Sequence, residues 1–297
     1  MTLKTVAILS PGDMGHSVGK VLGEHGFDVI TCLLGRSDRT KRLALEGNFR
    51  VVNTINQLVK EADVVLSILV PDYAQAVAEE VAGALRITES SAYFADCNAV
   101  SPRKSLLIAD IINNAGGHYI DGGIIGGSPG KGGGAPRFYV SGPDSDLLMA
   151  LDGKGITVKS VGDTIGRASG IKMCYAALTK GTNTLQVALL LAAHRMGLLS
   201  ELADEFAFSQ QDQLRKMEST IPGLPANAHR WIGEMQEIAQ TFDDVCVTSQ
   251  FHIGAAVIYD LLNATPFANE SPESIDTDRT MWQIIESLSE DLDIKRK

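Results

Sequence analysis

Cysteine is scarce in these 297 residues, and its four copies, Cys32, Cys97, Cys174 and Cys246, lie far apart with no C-x-x-C spacing. That argues against a disulfide framework or a thiolate zinc site, and the four read as reduced, mostly buried thiols in apolar or helical settings. Histidine is also sparse. His16, His25, His118, His194, His229 and His252 show no paired ligand spacing, so no metal is expected. Positive charge is in deficit, with 26 basic residues against 36 acidic ones and a net charge of −10. Nucleic acid and anionic membrane are therefore not expected as partners, and any phosphate must be held by local groups. No apolar run approaches the roughly 18 residues of a membrane span, and the opening "MTLKTVAILSPGD" carries no long apolar core of a leader. A cytoplasmic protein acting on a small molecule is the expectation.

What is present is a hydrophobic content of 44%, enough to bury a substantial core, at a length that suggests about two domains. Short apolar runs alternate with amphipathic segments from "TVAIL" through "FDVITCLL", "DVVLSILV" and "SAYFADC". Ser101 and Pro102 mark a helix start, as N-cap and first helical residue. This rhythm predicts an α/β fold: a Rossmann-type, doubly wound, mostly parallel sheet covered on both faces. After "HYIDGG" the rhythm breaks, and residues 122–136, "GGIIGGSPGKGGGAP", are too glycine-rich for helix or stable strand and read as a loop. Two further strands, "RFYVSG" and "GITVKSVG", close a dinucleotide-binding domain at 1–164. Residues 165–297 read as an all-helical substrate and dimerisation domain, with one helix expected over 198–216.

The first strand-turn-helix carries "AILSPGDMGHSVG", with Ser10, Gly12 and Gly15 on an S-x-G-x-x-G form of the dinucleotide fingerprint and Asp13 and Met14 between them. The middle glycine admits backbone N–H groups to a pyrophosphate at a helix N-terminus, and the last lets helix and strand pack closely. At the end of the second strand an NAD site places Asp or Glu for the ribose hydroxyls. Here Gly35, Arg36, Ser37 and Arg39 stand instead, so NADP is preferred over NAD: Arg36 suits a 2′-phosphate and Ser37 adds a hydroxyl. Two other matches fail. Gly126, Ser128 and Gly130 fit G-x-S-x-G, but Pro129 after the serine has no N–H for an oxyanion. Gly130-Lys131 resembles a Walker A ending, but Ile125 and Gly132 occupy its first-glycine and hydroxyl positions.

Residues 166–197, "GRASGIKMCYAALTKGTNTLQVALLLAAHRMG", contain no proline and read as one helix of about 46 Å at about 1.5 Å per residue. Its second half is so apolar that most of its sides are expected to be buried. At about 100° per residue, Lys172, Ala176, Thr179 and Asn183 share a stripe, with Lys180 roughly 80° away. Small neighbours, Ala168, Ser169, Gly170 and Ala176, let another body come close to Lys172. A partly desolvated amine there, beside a positive nicotinamide, is suited to exchange a proton with a substrate hydroxyl.

With these residues placed, the chain resembles the β-hydroxyacid dehydrogenase superfamily of 3-hydroxyisobutyrate and 6-phosphogluconate dehydrogenases. "SPGDMG" resembles its cofactor turn, "ILVPD" its nicotinamide loop with Val70 and Pro71, "DCNAVSP" its D-x-S-T-x-x-P strand end, "IDGGIIGG" its D-A-P-V-S-G-G substrate loop, and "GRASGIKMCYA" its catalytic helix. The resemblance implies Lys172 as general acid/base with Asn98 beside it, Asn98 also touching the cofactor. It implies a substrate lined by backbone N–H groups of Asp121, Gly122, Gly123, Gly126 and Gly127, and a homodimer formed through the helical domain. The family's asparagine one turn after the lysine falls at Ala176, its loop serine at Ile125, and its Ser-Thr pair at Asn98-Ala99. Thr179 or Asn183 is then expected to replace the lost amide, and Arg230, with His229 and Glu234 in "HRWIGEMQEIAQTF", is a further substrate candidate. The expected reaction interconverts a secondary alcohol and a ketone on a small hydroxy acid or sugar acid. An imine reductase and a non-catalytic NADP-binding sensor are the alternatives.

Overall fold

The computed structural model describes residues 3–130, 134–271 and 274–294, so Lys131 and Gly132 of the discarded phosphate-loop match lie outside the described residues. The chain forms two compact units, Met1–Tyr175 and Ala176–Lys297. The first runs β1 (Thr5–Leu9), α1 (Asp13–Glu24), β2 (Asp28–Cys32), α2 (Asp38–Glu46), β3 (Arg50–Val52), α3 (Ile55–Glu61), β4 (Val64–Ser67), α4 (Ala74–Thr88), β5 (Tyr93–Asp96), α5 (Pro102–Asn113), β6 (His118–Ile125), β7 (Arg137–Ser141) and β8 (Thr157–Ser160). Its described strands make one sheet in the order β3-β2-β1-β4-β5-β6-β7-β8, parallel except where β7 runs against β6.

The period-2 pattern explains the layering. Along β1, Val6 and Ile8 join one buried cluster while Ala7 and Leu9 join another, so both sheet faces are covered. The helices start where their caps stand: Ser37, Thr54 and Ser101 side chains accept from the backbone N–H of Thr40, Gln57 and Lys104. One expectation needs correction. Residues 121–125 are not loop but the end of β6, paired from Asp121↔Ser141 to Ile125↔Arg137. Antiparallel pairing with β7 supplies the backbone partners that the glycines' own propensity does not favour.

Helix α6 (Arg167–Arg195) begins in the first unit, and the division between units falls within it. The second unit continues with α7 (Leu199–Ser209), α8 (Gln211–Thr220), α9 (Pro225–Asp244), α10 (Gln250–Asn263) and α11 (Met281–Ile294). The single helix expected over 198–216 is broken at Gln210, whose φ is −139°; just before it the Ser209 hydroxyl donates to the Glu205 carbonyl at 3.0 Å. The apolar half of α6 is buried on one side only: Val187, Leu190 and Leu191 are interior, whereas Leu178 and Leu185 are 70% and 65% exposed. The expectation of mostly buried thiols is met for Cys32 and Cys97 but not for Cys174 and Cys246, which are exposed. No helix among the described residues is long and apolar enough to cross a membrane.

Candidate active site

The strand register draws the candidate residues onto one line. Leu9 pairs with Ser67, Ser67 with Asp96 and Asp96 with Asp121, so the chain leaves β1, β4 and β5 and crosses the last half of β6 side by side. Three strand spacings make this row about 14 Å wide. It lies at the carboxyl edge where the strand order reverses between β1 and β4, the position at which doubly wound sheets bind ligands.

At β1 the turn is shaped for a phosphate. Ser10, where the fingerprint has its first glycine, takes φ +58°, and Gly12 donates its N–H to the Ser10 carbonyl at 2.7 Å. A Cβ on Gly15 would stand 3.2 Å from both Ile8 Cγ2 and the Ser10 carbonyl, so helix and strand touch there. No side chain caps the start of α1, which leaves its first N–H groups and its positive end facing the turn. Met14 packs inward against the sheet's second cluster, while Asp13 turns to Arg39, Oδ1 to Nη2 at 2.7 Å. Among the described residues Arg36 Nε is buried without a hydrogen-bond partner, a donor waiting for an acceptor. Ser37 Oγ accepts from Thr40 N at 3.3 Å, so its first task is to cap α2. This donor set fits a dinucleotide: an open helix N-terminus, close-packed glycines and an orphaned guanidinium nitrogen.

Asn98 serves the frame. It is 2% exposed; its amide nitrogen donates to Ser67 Oγ at 2.9 Å and to Asp96 Oδ1, while its oxygen accepts from Leu69 N at 2.6 Å. Both amide hydrogens are thus committed within the chain. It clamps the turn after β4, where Val70 precedes the buried Pro71, to the end of β5. Beneath it, Asp96 is 1% exposed, with Oδ2 buried and without a hydrogen-bond partner among the described residues. Burial, followed by the nearby Asp121 charge, pushes the Asp96 carboxyl up to about 7 against the hydrogen bonds from Asn98.

Another correction concerns the substrate loop. Asp121, Gly122 and Gly123 are buried strand residues whose backbone belongs to the ladder with β7, and only Gly126 and Gly127 of the expected set are exposed. The Asp121 carboxylate, fully buried, accepts from Gly166 N at 2.9 Å, Ala168 N at 3.0 Å and Ser169 N at 3.2 Å, and from the hydroxyls of Ser105, Ser141 and Ser169. It is the cap of α6. On the same face of β6, a Cβ on Gly123 would lie 2.8 Å from Lys172 Cβ, so the lysine is seated directly on the strand and is half-buried. Of the three serines around Asp121, sequence reasoning names Ser169 only as a small neighbour of Lys172 and misses Ser105 and Ser141, because the three come from separate elements.

In the second unit the remaining candidates belong to a different cluster. Tyr259, fully buried, donates to the Lys180 carbonyl at 3.2 Å and is hydrogen-bonded to the Asn183 side chain, which is thereby engaged internally. Trp231 meets Tyr259 edge-on at 5.2 Å and lies beneath two cations, Lys180 at 5.6 Å and Arg230 at 5.7 Å. Lys180 and Glu234 form an ion pair, and Arg230 Nε is buried without a hydrogen-bond partner among the described residues. Thr179 is half-buried on α6, and burial lowers the His229 pKa.

Comparison with known proteins agrees with this architecture. Residues 5–151 match the NAD binding domain of 6-phosphogluconate dehydrogenase, and residues 193–262 match a domain of unknown function, DUF1932. An uncharacterized 28.5 kDa protein of Methanothermus fervidus is 28% identical over 177 residues, covering 60% of this chain and 66% of that one. Among solved structures, a conserved protein described as structurally similar to 3-hydroxyacid dehydrogenases is 25% identical at TM-score 0.64, over 87% of this chain and 96% of its own. Mycobacterium tuberculosis 3-hydroxyisobutyrate dehydrogenase with L-serine shares the fold at 18% identity and TM-score 0.65, over 96% and 99% of the two chains. An imine reductase of Streptomyces aurantiacus does so at 16% and 0.53, over 92% and 98%. The protein thus carries an NAD binding domain of the 6-phosphogluconate dehydrogenase type followed by a DUF1932 region, on the fold of the β-hydroxyacid dehydrogenases.

Proposed function

We propose that this chain is an NADP-dependent oxidoreductase that interconverts a secondary alcohol and a ketone on a small hydroxy acid or sugar acid, with Lys172 as the general acid/base. The observation that carries the reading is the seat of Lys172, held against Gly123 on β6 beside the row of strand ends that bears the phosphate turn. The bound nicotinamide would supply the hydride acceptor or donor. Lys172 then takes the hydroxyl proton as the carbonyl forms, or returns it in the reverse direction. Ser10, Gly12 and the open end of α1 hold the pyrophosphate, and Arg36 takes the 2′-phosphate. The exposed backbone at Gly126 and Gly127 is left to meet the substrate.

A homodimer through the helical unit is part of the same proposal. Leu178, Leu185 and Ala192 follow a seven-residue spacing on α6 and are all exposed, the apolar seam that a second helix would cover. The test of the function is kinetic. Purified protein is assayed by NADPH absorbance with 3-hydroxyisobutyrate, L-serine, 6-phosphogluconate and a cyclic imine, beside Lys172→Ala. Turnover of a hydroxy acid that falls about a thousandfold in the variant supports the reading, within the range of general acid–base catalysis. Wild-type turnover by Lys172→Ala refutes it, turnover of the imine alone favours reductase chemistry, and no turnover favours a sensor.

A further inference from the structure

We propose that Asp121 is a positioning residue for Lys172, fixing the lysine-bearing turn of α6 on β6. The inference rests on the assignment of Lys172 to proton transfer.

A helix leaves its first N–H groups without intrahelical partners, and usually a side chain immediately before the helix accepts one of them. Here one carboxylate accepts three, from Gly166, Ala168 and Ser169, and it stands 45 to 48 residues earlier in the chain. A local cap would tie the helix only to its own preceding loop; this one ties it to the sheet. The donors are divided unequally: Oδ2 takes the three N–H groups and the Ser141 hydroxyl, while Oδ1 takes the hydroxyls of Ser105 and Ser169. Ser169 donates with both its N–H and its hydroxyl and lies one turn before Lys172 on the helix.

The second device is two residues further along β6 on the same face. An added Cβ at Gly123 would be 2.8 Å from Lys172 Cβ and 2.9 Å from the Ala168 carbonyl oxygen. Strand and helix backbones are therefore in contact at the turn that carries the amine, and neither can slide without breaking the Asp121 bonds. Asp121 sets the register of α6 on β6, and Gly123 permits the closeness. The side-chain volume at Asp121 contributes nothing to this; its acceptor character does.

Asp121→Asn keeps the shape but makes one of the two atoms an amide donor, so at least two of the six hydrogen-bond donors face hydrogens whichever way the group turns. The variant is compared with wild type by hydrogen-exchange mass spectrometry of holoprotein in NADPH, and by kcat and KM with the panel substrate that turns over fastest. Exchange across residues 166–175 is expected to rise about tenfold, the loss of a helix cap, with residues 199–209 unchanged. We expect kcat to fall at least about tenfold with KM within about threefold, because an ångström-scale misplacement costs rate and leaves ground-state binding in place. Ser169→Ala, which removes one donor and keeps the carboxylate, gives a smaller change in the same direction. If Asp121→Asn does not fold, Gly123→Ala carries the test and gives the same rise in exchange and fall in kcat. Unchanged exchange at 166–175 with unchanged kcat in a folded variant overturns the proposal. Raised exchange with an active Lys172→Ala enzyme instead means that the positioning stands and the role given to Lys172 fails.

Discussion

Asp96 and Asp121 are register partners on adjacent parallel strands, and both are buried, so two carboxyl groups sit side by side under the candidate site. The partition of work between them is unequal: Asp121 receives six donors, while Asp96 keeps one oxygen without a partner among the described residues. Burial and the Asp121 charge raise the Asp96 carboxyl from 3.8 to about 7, partly offset by the Asn98 bonds and the Lys104 charge. Between these values the folded chain holds a proton that the unfolded chain has released. The sign follows: this group's contribution to stability falls as pH rises from about 4 to about 7, by at most about tenfold in the folding equilibrium per pH unit, and levels above that. Asp96→Asn removes the dependence. Urea denaturation at pH 5, 6, 7 and 8 should show the variant gaining on wild type with rising pH; a difference constant across the series contradicts the assignment.

Arg36 is expected to decide between the two cofactors. Its buried Nε lacks a hydrogen-bond partner among the described residues, and a phosphate would provide a charge-assisted one. Such bonds contribute about 1.5–3 kcal/mol, so Arg36→Ala should weaken NADPH about tenfold to hundredfold and leave NADH within about twofold. Fluorescence titration of both reduced cofactors measures this, and equal losses for the two would remove Arg36 from the 2′-phosphate site.

Ser10 occupies a left-handed backbone conformation at φ +58°, which glycine adopts without a side-chain penalty. Ser10→Gly should therefore keep NADPH affinity and change stability by no more than about 1 kcal/mol. Ser10→Val, branched at Cβ, should lower stability by about 2 kcal/mol and loosen the cofactor turn. Thermal midpoints with and without NADPH separate the two effects: a valine variant as stable as wild type would show that the turn carries no strain.

The alternation of apolar runs made the sheet legible, because buried strands and covering helices each have their own period. Ser101 is legible as a cap for the same local reason, whereas Ser37, read for its hydroxyl toward a 2′-phosphate, also caps α2. Thr54 with Gln57 three residues later was an equally readable helix start; α3 was passed over because β3, the strand before it, is only three residues long. Asp121 was misread for a physical reason. A glycine-rich neighbourhood has little strand propensity of its own, and pairing with β5 on one side and β7 on the other turns "IDGGII" into a buried strand. Position along the chain identified the motif there; its role depended on contacts 45 residues away.

The exposed seam on α6 gives a direct prediction about assembly. Leu185, 65% exposed, sits in the middle of the stripe between Leu178 and Ala192. Leu185→Glu would place a charge in any helix–helix contact made there, at a position already mostly exposed in its own chain. The variant should remain folded by circular dichroism and run as a monomer in light scattering, with wild type expected to run as a dimer. A dimeric variant moves the interface elsewhere.

The Lys180–Glu234 pair offers the sharpest test of what holds the second unit together. Their side chains are 15% and 7% exposed, and the Lys180 ammonium also lies 5.6 Å from the centre of the Trp231 ring, between α6 and α9. Removing one partner of such a pair strands the other charge away from water, which costs about 3–5 kcal/mol, whereas replacing both by apolar groups of similar volume is often neutral. Glu234→Leu alone should thus destabilise strongly, and Lys180→Met with Glu234→Leu should recover most of the loss, since a methionine can keep its stem on the Trp231 face. Chemical denaturation followed by Trp231 and Trp282 fluorescence measures the cycle. If the double variant is as unstable as the single one, the two side chains act through separate contacts and the pair is incidental; recovery shows that the cost lay in the unpaired charge.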